Sequence, residues 1–106
     1  MERTIQKNIT ITNHAMMRLK QRVGTYGNYR SWQDLVKAAR YNGATYFTMT
    51  QEQYDYVVNH FDKNKFTASM SIRFFEGCFY VFRGNNHHSR TLVTVIKFEK
   101  GKSVIW

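Results

Sequence analysis

The apolar residues of this chain change period about two thirds of the way along it. Between residues 13 and 62 they recur every three or four positions, the spacing of a helix with one buried side. From Ala68 onward they alternate, the spacing of half-buried strands. In Asn13 to Val23, Ala15, Met16, Leu19 and Val23 fall on one side. His14, Arg18 and Arg22, with Gln21 beside them, lie roughly opposite. Thr12 or Asn13 can cap the start and Gly24 stops the helix. A second helix opens at Ser31 (SWQD, a capping pattern) and shows Trp32, Leu35, Val36 and Ala39 before Gly43 ends it. A third opens at Thr50 (TQEQ), carries Tyr54, Val57, Val58 and Phe61, and ends near Asp62. The stretch ATYFTM between them fits a short strand or an apolar linker.

After Lys65, Ala68, Met70, Ile72 and Phe74 alternate with Ser69, Ser71, Arg73 and Phe75. Glu76-Gly77 is a two-residue turn and CFYVFR is the returning strand. That register puts Arg73 opposite Tyr80, on the face away from Ile72 and Val81. GNNHHSR is a polar loop, Thr91 to Phe98 a third strand, and SVIW a fourth after the EKGK turn. Ile9 and Ile11, alternating with Thr10 and Thr12, form a brief extended lead-in. The resulting expectation is an α+β fold. About three N-terminal helices are followed by a four-stranded antiparallel β-meander, in a single domain over residues 1–106.

Charge changes the picture more than length does. Sixteen Lys and Arg stand against seven Asp and Glu, a net charge of +9. Residues 1–50 hold eight basic and two acidic residues; residues 51–106 hold eight and five. No acid lies between Arg3 and Gln33. Such an excess favours a polyanionic partner, RNA or other nucleic acid, because neutralised phosphates release counterions. The alternative is a basic protein kept soluble by self-repulsion. No stretch approaches the ~20 apolar residues of a membrane span, and the first ten residues lack the apolar core of a signal peptide. The single cysteine, Cys78, forbids an internal disulfide and suits a reducing compartment. The sequence thus predicts a soluble cytoplasmic protein with no membrane partner.

Several chemistries lack their residues. There is no phosphate-cradling glycine loop of either common type, so no nucleotide cofactor is expected. Acids are too scattered for a two-metal site. His87 and His88 point apart as neighbours and have no third ligand, so no metal is expected. Cys78 sits mid-strand among aromatics, where a thiol packs as a small hydrophobe. What remains is metal-free: His14, Arg18, Lys20 and Arg22 on the first helix, Arg73, Tyr80 and Arg83 on the hairpin, His87, His88 and Arg90 in the loop, and Thr94 beyond. RNA can be cleaved with such parts. A base takes the 2′-OH proton, an acid protonates the leaving 5′-oxygen, and cations hold the charge that builds on phosphorus. Each residue also has a structural reading. Tyr80 can pack on the sheet, Thr94 can be a β-branched strand residue, Arg73 can pair with Glu76, and the two histidines can decorate a solvated loop.

The stretches NHAMMRLKQR (His14, Arg18, Arg22), CFYVFRG (Tyr80, Arg83) and LVTVIKF (Thr94) resemble the superfamily of small ribonucleases grouped around barnase, EndoU, colicin-type tRNases and RelE toxins. That resemblance implies a metal-independent endoribonuclease, toxin-like or phage-encoded, that attacks through the 2′-OH to leave a 2′,3′-cyclic phosphate. It implies catalytic roles for His14, Arg18, Tyr80 and Thr94. Nucleic-acid contacts fall to Lys20, Arg22, Arg73, Arg83, His87, His88 and Arg90, and a cognate antitoxin or host protein is a possible second partner. The third helix and the His87-His88 loop have no match in it. The alternative is a non-catalytic nucleic-acid-binding or nuclease-inhibiting protein of phage or mobile-element type, with Tyr26, Tyr29, Tyr80 or Phe82 stacking on bases.

Overall fold

A computed structural model describes residues 9–60, 70–83 and 91–99. The elements run β1 (Thr10–Ile11), α1 (Asn13–Arg22), α2 (Trp32–Asn42), α3 (Gln51–His60), β2 (Met70–Phe75), β3 (Cys78–Arg83) and β4 (Thr91–Lys97). The helices start where their caps require. Thr12 Oγ1 accepts from the Ala15 amide at 3.0 Å and Ser31 Oγ from Asp34 at 3.2 Å. At α3 the box is reciprocal: the Gln53 amide donates to Thr50 Oγ1 at 3.1 Å, and the Thr50 amide to Gln53 Oε1 at 3.0 Å. The β2–β3 turn has φ of +48° at Glu76 and +86° at Gly77. Two positive values in succession match the right-handed twist of the strands the turn joins. The hairpin register pairs Arg73 with Tyr80 and Ile72 with Val81, as the alternation predicts.

The sheet corrects one expectation. It is mixed, not an antiparallel meander, with strand order β1-β4-β3-β2. β1 lies parallel to β4, Thr10 beside Thr91 and Ile11 beside Leu92. The helices therefore do not open the chain; a strand precedes them. The predicted fourth strand, SVIW, lies outside the described residues, as do the predicted end of the third helix and the first residues of the β2 stretch. The lead-in became a strand because Ile9 is buried and its backbone is held from the side. Its amide donates to Gln33 Oε1 at 2.9 Å, and Gln33 Nε2 donates back to its carbonyl. Among the described residues, the linker between α2 and α3 pairs with the sheet at one point, Ala44 with Phe74.

Both faces of the sheet are covered. On one, Ala15 and Leu19 of α1 and Val36 and Ala39 of α2 pack on Cys78, Tyr80, Phe82, Leu92 and Val95. On the other, Val57 of α3 packs on Ile72, Phe79, Val81 and Ile96. This is why β3 reads as an unbroken apolar run: a central strand buried on both faces has no polar side to show. A register shift opposite Val81 and Phe82 leaves Val93 as the extra residue of a bulge in β4. Beyond β1, side chains bond to the backbone of β4. Arg22 Nη1 donates to the Val95 carbonyl at 2.9 Å and the Tyr56 hydroxyl to Lys97 O at 3.2 Å. No helix among the described residues is long and apolar enough to cross a membrane.

Candidate nucleic-acid interface

α1 buries Ala15 and Leu19 and turns Asn13, His14, Met17, Lys20 and Gln21 outward. Its first turn holds no acid and its last turn holds Lys20 and Arg22. Arg18 is half-buried along its stem. Its Nη1 donates to Gln21 Oε1 at 2.8 Å, while its Nε is buried and meets no partner among the described residues. Arg22 spends a donor on the Val95 carbonyl. Burial pushes the Arg22 guanidinium below its ordinary pKa, and the neighbouring positive charge of Arg18 pushes the same way. Both guanidiniums thus rest on neutral oxygens, close enough to repel, on a helix with no carboxylate of its own; the Glu99 carboxylate just past β4 acts on Arg22 more weakly, in the opposite sense. That arrangement leaves forked donors available to phosphate oxygens. Next to it, the loop after α1 exposes Tyr26, set edge-on to Trp32 with ring centroids 5.5 Å apart, and Arg30.

The other sequence candidates are not all gathered here. Arg83 is exposed at the end of β3, on the rung shared with Thr91. Because the Thr12 amide bonds to Leu92 O at 3.2 Å, His14 lies at that same end of the sheet. Arg73 is on β2, two strands away from β4 and so about 10 Å across the sheet. Its Nη1 donates to Ser71 Oγ at 2.8 Å and to Ile72 O at 3.2 Å. His87, His88 and Arg90 lie outside the described residues. Tyr80 is 1% exposed, sealed beneath α1 and α2, and burial pushes its hydroxyl pKa far up from the usual tyrosine value. Thr94 is 4% exposed and sits across from Val81, on the α3 side of the sheet. Tyr80 and Thr94 therefore face opposite sides, and neither reaches the surface that carries His14.

The Thr94 Oγ1 has no hydrogen-bond partner among the described residues. A buried hydroxyl that gives up water without replacement costs stability. Thr94→Val keeps the shape and removes the burden. It should raise unfolding free energy by about 1 kcal/mol, read by urea denaturation; a loss of stability would show that the hydroxyl has a partner.

The helical stripes did not single out Arg40, which is 9% exposed. The signal was present: Arg40 follows Trp32 and Val36 at four-residue spacing and so shares their buried side. Its guanidinium carbon lies 5.9 Å from the Phe82 ring centre and 5.7 Å from that of Tyr41. Among the described residues, no three His, Cys, Asp or Glu side chains come together as a metal site would require. Comparison with known proteins adds no family: no protein-family model, no curated protein and no solved structure matches the chain.

Proposed function

We propose that the protein binds nucleic acid through the outer face of α1. One observation carries the reading: within ten residues α1 holds exposed His14 and Lys20 and half-buried Arg18 and Arg22 with no acid, and the hydrogen bonds of the two guanidiniums go to neutral oxygens among the described residues. The overall charge of +9 adds long-range attraction. Tyr26 and Arg30, at the C-terminal end of the helix, suit contact with an unpaired base and its phosphate.

The test is fluorescence anisotropy on a labelled single-stranded RNA across a salt series. Binding should weaken steeply with salt. Lys20→Gln with Arg18→Gln should flatten the log–log slope by about 1.4, since each lost phosphate contact on a single strand removes about 0.7. A slope unchanged by the double variant would remove α1 from the contact.

A second reading is favoured by the exposed imidazole of His14 one helical turn from Arg18. In it the protein is a metal-independent endoribonuclease. His14 handles the 2′-OH proton, Arg18 holds charge on the phosphate, and Tyr80 and Thr94 support the sheet from inside. An antitoxin would then act by laying carboxylates over the same cations. Digestion of RNA in EDTA, with His14→Ala as control, separates the readings. Fragments ending in 2′,3′-cyclic phosphate that vanish in the variant establish cleavage; intact RNA leaves binding alone. Cys78, free and buried, is in keeping with a reducing cytoplasm.

A further inference from the structure

The α1 cations alone cannot tell one polyanion from another; the loop that follows them can. Residues 24–30 (GTYGNYR) include two glycines, so composition by itself leaves the loop free to change shape. Its two tyrosines hold it. At one end the Tyr26 ring meets Trp32, the first residue of α2, edge-on at 5.5 Å. At the other the Tyr29 ring leans on Phe75, the last residue of β2, with centroids 6.4 Å apart. Between them the Tyr29 amide donates to the Tyr26 carbonyl at 3.0 Å and closes a turn. The Glu76 carboxylate stands beside the Tyr29 hydroxyl. Desolvation and that negative charge both push the hydroxyl above its ordinary pKa. The loop is thereby strapped from the base of α1 to the turn of the hairpin. The rings divide the work: Tyr29 is half-buried as the anchor, while Tyr26 stays 41% exposed. Tyr80 and Phe82, which could also have stacked on a base, are sealed in the core.

Granted that α1 binds nucleic acid, we propose that its ligand is a single strand, with one unpaired base stacked on Tyr26 and with Tyr29 as the residue that positions the loop to receive it. In a duplex each base already stacks on its neighbours and hides its faces. In a single strand a face is open to an aromatic ring. Arg22 and Arg30 flank Tyr26 four residues to either side, suited to the phosphates before and after a stacked base. A loop already held in its bound shape gives up little conformational freedom on binding. Single-stranded RNA and single-stranded DNA share this chemistry, and the sugar separates them.

The experiment is fluorescence anisotropy on the whole protein with labelled probes of one sequence: single-stranded RNA, single-stranded DNA, the DNA duplex, and an abasic DNA strand that keeps the phosphates and lacks the bases. Tyr26→Ala should weaken both base-bearing single strands about tenfold, the scale of one stacked base. It should leave the duplex and the abasic strand unchanged. The salt slope should also stay as it is, since no phosphate contact is lost. Tyr29→Ser should weaken the same two strands about threefold, the scale of one side chain that must then be ordered on binding. Tyr29→Phe keeps the ring on Phe75 and should restore them. Added to Tyr26→Ala, Tyr29→Ser should cost nothing more, because a positioning residue acts only through the ring it positions. A general loss of folding would instead weaken every probe in both backgrounds. The tighter of the two base-bearing single strands names the sugar, and equal affinities assign single strands of either kind. Equal losses on duplex and single strand in Tyr26→Ala, no loss on either, or additive effects of the two tyrosines would overturn the proposal. The flattened slope of Lys20→Gln with Arg18→Gln would then still support the α1 reading, whereas failure to bind every probe would remove both.

Discussion

Replacing Phe79 by alanine should lower the unfolding free energy by about 3–5 kcal/mol, the cost of emptying a large aromatic site in a closed core. Phe79 is fully buried on the α3 side of the sheet. Its ring stacks on Tyr56 of α3 with centroids 5.8 Å apart and planes 12° from parallel. Phe74 lies at 4.9 Å and Phe98 at 5.8 Å. One side chain thus joins α3, β2 and the end of β4, and its loss leaves three rings facing a void. Small domains are stable by only about 5–15 kcal/mol, so the variant should unfold at far lower urea and close to ambient temperature. A loss below about 1 kcal/mol would mean that the cavity collapses and that α3 is not anchored by this ring.

Gly43→Ala should be costly for a different reason. Gly43 has φ of −68° and ψ of 156°, which any residue adopts. What it lacks is room. An added Cβ would lie 2.5 Å from the Ala39 carbonyl oxygen, 2.9 Å from Arg73 Cβ and 3.2 Å from the Phe74 carbonyl oxygen. Two of those atoms are backbone, so α2 must lift from β2. The following amide would then move with it, opening the bonds of 2.8 and 2.9 Å that join Ala44 and Phe74. The expected loss is about 2–3 kcal/mol, the upper part of the overpacking range, seen in the urea midpoint. Gly77→Ala is the contrast: nothing lies within 4 Å of its added Cβ, and only its φ of +86° resists. If Gly43→Ala left the midpoint in place, the end of α2 would not rest on the sheet.

Periodicity located the helices and the hairpin well because each has a local cause that one segment contains. Ser31, Thr50 and the Glu76-Gly77 turn act within four residues of themselves. β1 escaped notice as a strand because its cause is remote. Two residues carry no period, and what holds them is β4, at Thr91 and Leu92, with Gln33 fixing Ile9 just before them. Gly43 was legible as a helix stop, while the stricter demand, contact with Arg73, needed the tertiary structure. The candidate site divided in the same way. His14, Arg18 and Arg22 share a helix, and their spacing alone groups them. Tyr80 and Thr94 are set on opposite faces by the strand pairing, Tyr80 beside Val95 and Thr94 beside Val81, which no local pattern announces.

The parallel pairing of Thr10 with Thr91 has a kinetic meaning. Two segments 81 residues apart in sequence (Thr10 to Thr91) must meet before the sheet is complete, and closing so long a loop carries an entropic toll. The hairpin and helices can form early from near neighbours, whereas Ile9 and its strand must wait for β4. During translation that apolar segment stays unpaired until β4 has been made, which makes it a natural handle for a chaperone and the seam where reopening begins.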